Sequence, residues 1–195
     1  MAEPDEATIT DWALAAKAGD TAAAAQFIRA TQPQVRRMLA CLASSREAED
    51  LTQETYLRAM RALPRFAARS SARTWLYAIA RRVAADHLRT VAARPKVAEV
   101  ADWHAAVDAR DGAVRFDDYV VLRQLLERLS PERRLAFVVT QVLGLSYAEA
   151  AEVCDCPVGT IRSRVARARD DLVAALREQR APGPEALPAD SSRTR

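Results

Sequence analysis

The sequence predicts an all-α protein made of two small helical domains joined by an acidic linker, and three observations carry that expectation. Ala supplies much of the 50% hydrophobic content, while Gly occurs only five times in 195 residues, and Ala is the strongest helix former. β-branched residues never alternate for long with polar ones, so the signature of a half-buried strand is missing. Apolar positions instead recur at three- and four-residue spacing in two stretches, one on each side of a segment rich in Asp and Glu. A chain of this length can hold one medium domain or two small ones, each with a modest core.

The first domain is expected over residues 11–94, as helices broken near Gln32–Pro33, near Ser44–Ser45 and over Pro64–Ser71. In "EDLTQETYLRAMRALPRF" a helical wheel puts Leu51, Tyr56, Ala59, Ala62 and Leu63 on a buried arc. Asp50, Gln53, Glu54, Leu57, Met60 and Arg61 share the opposite side. Two apolar side chains ringed by polar ones describe the centre of a protein–protein contact. In "SARTWLYAIARRVAADHLR" the expected core stripe is Trp75, Leu76, Ile79, Ala80 and Val83. Thr74, Tyr77, Ala78, Arg81, Arg82, Ala85 and Arg89 are expected to face outward, where guanidiniums beside an aromatic ring suit a nucleic-acid backbone and stacked bases. The loop before this helix carries Phe66 between Arg65 and Arg69, an arrangement that can hold an unstacked base.

Residues 95–118 form the acidic linker, with Glu99, Asp102, Asp108, Asp111, Asp117 and Asp118 against Lys96, Arg110 and Arg115. Helical periodicity returns over residues 119–180, broken at Ser130–Pro131, at Gly144 and over Cys154–Pro157. In "SYAEAAEV" Ser146 and Glu149 make a capping box, so a short helix starts there. After the break a longer helix places Ile161, Val165, Ala168, Leu172 and Leu176 on one stripe. Gly159, Thr160, Ser163 and Arg167 then point outward, flanked by Arg162 and Arg169 on one side and Arg164 on the other. A capped short helix, a tight turn and a second helix with small, hydroxyl and Arg side chains outward is the helix-turn-helix pattern for a major groove. Residues 181–195 lack a core and are expected to be disordered.

The totals bound what else the chain can do. A net charge of +3 is mild, so any nucleic-acid surface must come from local clustering of Arg. The acidic N-terminus and the lack of an apolar run near the roughly 20 residues that span a bilayer lead to a cytoplasmic protein with no membrane insertion. Three cysteines argue against a disulfide framework, and Cys154 and Cys156, without a nearby His or third Cys, fall short of a structural zinc site. They read as turn or core residues. No clustered carboxylates, nucleophile–base pair or phosphate-cradling Gly loop appears, so no catalytic, metal or cofactor site is expected and the chain is not read as an enzyme.

The stretches "AEDLTQETYLRA", "SARTWLYAIARR" and "LSYAEAAEV" followed by "CPVGTIRSRVARAR" resemble, in order and spacing, the region 2 and region 4 signatures of extracytoplasmic-function (ECF) sigma factors of bacterial RNA polymerase, and most resemble the actinobacterial sigma C type. The resemblance implies a region 2 helical bundle over residues 11–94 and a region 4 helix-turn-helix over 119–180. It implies that the face of Asp50, Gln53, Glu54, Leu57, Met60 and Arg61 binds the coiled coil of the core polymerase largest subunit, with the flap as a further contact of the core. Arg65, Phe66, Arg69, Thr74, Tyr77, Arg81, Arg82 and Arg89 would melt and read the minus-ten element. Gly159, Thr160, Arg162, Ser163, Arg167 and Arg169 would read minus thirty-five, the linker would thread the polymerase channel, and an anti-sigma factor becomes a candidate partner. Two positions depart from the pattern: Arg82 stands where many members have Asn, and Asp155 where Gly is common. The rival expectation is a stand-alone helix-turn-helix regulator that binds duplex DNA without polymerase.

Overall fold

A computed structural model describes residues 4–93 and 123–180; the linker and tail expected at 95–118 and 181–195 lie outside the described residues. Four long helices make the first domain: α1 (Glu6–Lys17), α2 (Thr21–Leu42), α3 (Ser45–Ala62) and α4 (Ala72–Ala93), with a 3-10 turn at Leu63–Arg65. In the second, residues 123–127 are helical (α5), followed by α6 (Pro131–Phe137), a π turn (Val138–Val142), α7 (Tyr147–Cys154) and α8 (Val158–Arg180). No strand occurs among the described residues.

Side-chain caps set the helix starts. The carboxylate of Asp5 accepts from the Thr8 amide at 2.8 Å, so the chain becomes helical at Glu6, ahead of the start expected near Asp11. Asp20 accepts from the amides of Ala22 and Ala23 and starts α2. Ser44 caps α3, and its hydroxyl donates to Glu47, whose other carboxylate oxygen meets His87 of α4 at 2.8 Å. Ser71 starts α4 by accepting from the Thr74 amide at 3.1 Å.

The break expected at Gln32–Pro33 does not occur, because α2 runs through Pro33. Proline in a helix interior forfeits a hydrogen bond and costs about 3 kcal/mol. Burial of Phe27, Val35, Met38 and Leu39 on the face of the same helix outweighs that. Buried Thr31, immediately before the expected break, donates to the Phe27 carbonyl at 2.7 Å and shares a 2.7 Å hydrogen bond with the Tyr56 hydroxyl of α3.

The two halves share one apolar core. Helix α4 packs against α1, α2 and α3 on one side and against α7 of the second half on another, while α6 and the π turn reach α2. At this seam Arg81 of α4 donates to the main-chain carbonyl of Cys154 at 3.2 Å.

Candidate nucleic-acid and partner interfaces

The polar-ringed face expected on α3 is present as such. Asp50, Gln53, Leu57 and Arg61 are exposed and Glu54 and Met60 half-buried, while Leu51, Thr52, Thr55, Tyr56 and Ala59 line the other side. Leu57 is 54% exposed, the most exposed of the large apolar side chains among the described residues. Ala62, expected in the core, is only half-buried. Arg58, which the sequence pattern did not single out, pins this face: it donates to Glu54 at 2.7 Å and to Asp86 of α4 at 2.6 Å. Those two hydrogen bonds raise the guanidinium's pKa above its ordinary value, and the Arg58 contact lowers that of Asp86.

The outward face expected on α4 needs correction. Tyr77 is fully buried, and its hydroxyl donates to Gln34 of α2 at 2.5 Å. Thr74 is buried beside the N-terminal cap, where the Ser71 hydroxyl donates to it at 3.0 Å. Phe66, expected to hold a base, is also core: its ring packs on Trp75 with centroids 4.9 Å apart, and its carbonyl accepts from Lys17 of α1 at 2.7 Å. Trp75, assigned to the core stripe, is only half-buried. The physical reason is that α4 has neighbours on several sides, so no single stripe separates inside from outside. Arg65, Arg69, Arg82 and Arg89 are exposed as expected, with Ala68 between the loop arginines held at φ 51°. Arg81 is half-buried under α7, and its Nε is buried with no hydrogen-bond partner among the described residues.

The helix-turn-helix follows the expected pattern closely. Ser146 and Glu149 form the capping box, with the Ser146 amide donating to the Glu149 carboxylate at 2.8 Å. Asp155 ends α7 in the left-handed conformation at φ 53°, ψ 54°, which Asp tolerates better than most residues. Gly144, before the cap, has φ +74°. On α8 Ile161, Val165, Ala168 and Leu172 are buried. The stripe closes on Ala175 rather than on Leu176, which is 38% exposed. Gly159, Arg162, Ser163, Arg167 and Arg169 are exposed, Thr160 is half-buried, and Arg164 sits half-buried with its guanidinium 3.6 Å from the Cys156 sulfur.

Two supports of this face escaped the sequence pattern. Gln141, on the π turn, accepts from Arg169 at 2.7 Å and donates to Thr140 at 3.1 Å, so Arg169 is anchored from the preceding element. Arg133 of α6 meets Asp171 of α8 at 2.6 Å and ties α8 to the helix before the helix-turn-helix. Nothing in periodicity marks a hydrogen bond between exposed side chains 28 residues apart. Among the described residues no group of three or more His, Cys, Asp or Glu side chains could hold a metal ion, and no helix is long and apolar enough to cross a membrane.

A four-helix bundle with an exposed Leu57 ringed by polar groups, joined to a helix-turn-helix with outward arginines, places the chain among helical proteins of the helix-turn-helix class. Residues 27–94 match the family described as Sigma-70 region 2, and residues 119–172 match Sigma-70, region 4. The chain is 52% identical over 170 residues to the probable RNA polymerase sigma-C factor of Mycobacterium bovis, covering 87% of this chain and 92% of that protein. It is 36% identical over 143 residues to the RNA polymerase sigma-H factor of Pseudomonas aeruginosa, covering 68% and 74% of the two chains. It is also 52% identical over 170 residues to the ECF RNA polymerase sigma factor SigC of Mycobacterium tuberculosis, with 87% of this chain and 92% of that protein covered. The chain belongs to the ECF sigma factors of the sigma-70 family. Among solved structures it is similar to the sigma factor RpoE in complex with the anti-sigma factor NepR from Bartonella quintana, with a TM-score of 0.63, 28% identity, and 80% and 97% of the chains covered. The fold is also that of CnrH in complex with the cytosolic domain of CnrY, with a TM-score of 0.68, 21% identity, and 88% and 98% covered.

Proposed function

We propose that this sigma factor divides its work among three surfaces: α3 binds core polymerase, the α4 region melts and reads the minus-ten element, and α8 reads minus thirty-five. The observation that carries the first assignment is Leu57, 54% exposed at the centre of a polar ring with no role in the core. Apolar anchors surrounded by polar groups are where binding energy concentrates. Arg162 reaches outward from the first turns of α8, where helix-turn-helix proteins touch base edges, and Arg167 does so about one and a half turns further along. The role is non-enzymatic and cytoplasmic, and the domains correspond to residues 11–94 and 119–180 with the linker between them.

Promoter engagement in this reading requires the two halves to part. Arg81 is held by the Cys154 carbonyl, and α7 covers the side of α4 that would approach single-stranded DNA. Arg81 has one main-chain carbonyl as its partner across the seam, and its guanidinium gains by exchanging that carbonyl for a phosphate. The likeness to sigma factors seen with anti-sigma proteins makes such a protein a candidate partner that selects one arrangement of the halves. Leu57→Asp tests the core-binding assignment. The variant is expected to keep its helicity and lose core polymerase in a pull-down; loss of helicity as well would place Leu57 in the core.

A further inference from the structure

The cysteines at the turn of the helix-turn-helix are left unused by promoter binding, yet they occupy the point where the turn meets the seam. Cys154 is buried at the C-terminus of α7 and its carbonyl accepts from Arg81; Cys156, two residues on, is half-buried. Between them Asp155 takes the left-handed conformation. Two Cα atoms that flank one residue in a helical conformation of either hand lie about 5.5 Å apart, inside the roughly 4.4–6.8 Å that a disulfide spans. Cys156 lines a shallow open pocket with Ala148, Ala151, Glu152, Pro157 and Val158, so solvent reaches it. Arg164 places a guanidinium 3.6 Å from its sulfur.

We propose that Cys156 and Cys154 form an oxidisable dithiol, with Cys156 the thiol that peroxide attacks and Cys154 the thiol that resolves it. In the first step the Cys156 thiolate attacks hydrogen peroxide: an S–O bond forms, the O–O bond breaks and hydroxide leaves, taking up a proton to become water. The sulfur is oxidised by two electrons and the peroxide reduced. In the second, Cys154 attacks the sulfenic sulfur: an S–S bond forms, the S–O bond breaks and a second water leaves. Burial pushes the Cys154 thiol up to about 11, so on its own it is a poor nucleophile. It reacts only once a sulfenic acid stands beside it, and the order of the two roles follows. Because the Cys154 carbonyl is the acceptor of Arg81, pulling its side chain toward Cys156 distorts the seam. This consequence rests on the reading that the halves part; the chemistry does not.

Trypsin releases Leu135–Arg162, which contains Cys154 and Cys156 and no other cysteine. The full chain is reduced, exposed to hydrogen peroxide with dimedone present, digested and weighed. In the unaltered chain this peptide is expected to lose about 2 mass units, the signature of a disulfide. Cys154→Ser is expected to carry dimedone at Cys156, and Cys156→Ser to carry none at Cys154. The Cys41 peptide should react at least about 10-fold more slowly than Cys156, since burial raises the Cys41 thiol. Dimedone at Cys154 in Cys156→Ser, or no oxidation at Cys156 in either chain, overturns the assignment. The radius of gyration in solution is expected to rise on oxidation; an unchanged radius with the disulfide formed refutes the coupling to the seam while leaving the dithiol standing.

Discussion

Tyr77 gives the sharpest separation between a structural and a DNA-reading role. Its ring is 0% exposed and its hydroxyl is bonded to Gln34. Truncating a buried aromatic to Ala costs about 3–5 kcal/mol, out of the roughly 5–15 kcal/mol by which domains are stable. With a urea slope of about 2 kcal/mol per molar, the midpoint of Tyr77→Ala falls by about 1.5–2.5 M. Tyr77→Phe keeps the ring and loses only the hydrogen bond, about 1 kcal/mol, so its midpoint falls by about 0.5 M. Urea titration followed by far-UV circular dichroism reads both. A Tyr77→Ala variant with an unshifted midpoint and lost promoter opening would show that the residue faces DNA and that its burial is misassigned.

Ser146→Ala removes the capping box that starts α7 and should cost about 1 kcal/mol by urea titration. Asp155→Val puts a β-branched residue at φ 53° and should cost at least about 1–2 kcal/mol, while Asp155→Gly should stay within about 0.5 kcal/mol because relieved strain and added unfolded-state freedom offset. The Cys154 thiol is raised to about 11, so its neutral form favours the folded state; that contribution is complete below the unfolded value near 9 and is lost as pH rises toward 11, by up to about 2 kcal/mol. Cys154→Ala should flatten this alkaline slope. Arg162→Ala and Arg167→Ala should each relax the preference at one minus-thirty-five base pair by about 1–3 kcal/mol. Arg164→Ala should weaken all promoters alike, read by transcription from single-base variants.

What was legible in the sequence was local. The capping box at Ser146 and Glu149, the left-handed Asp155 and the buried stripe through Ile161, Val165, Ala168 and Leu172 depend on a few residues and one helix period. The α3 face was legible for the same reason, because α3 buries one side only. Helix α4 defeated the wheel: it is enclosed by three helices of its own half and touched by α7, so Thr74 and Tyr77 are as buried as Leu76. Their polar atoms find partners in Ser71 and Gln34, which no periodicity announces. Pro33 misled because its local cost is fixed, whereas the burial that repays it comes from packing. The seam at Arg81 and the Gln141 support of Arg169 are tertiary, between elements far apart in the chain.

This chain is expected to read promoters only as part of a holoenzyme, because two Arg-bearing faces on separate halves and a small net charge do not by themselves fix promoter spacing. Run-off transcription with purified core polymerase on genomic fragments, set beside binding of the free chain to the same DNA at physiological salt, tests it most directly. Defined start sites are expected with core present, and only weak, salt-sensitive binding by the free chain. Nanomolar, sequence-specific binding of the free chain, with core polymerase adding no initiation, would contradict it.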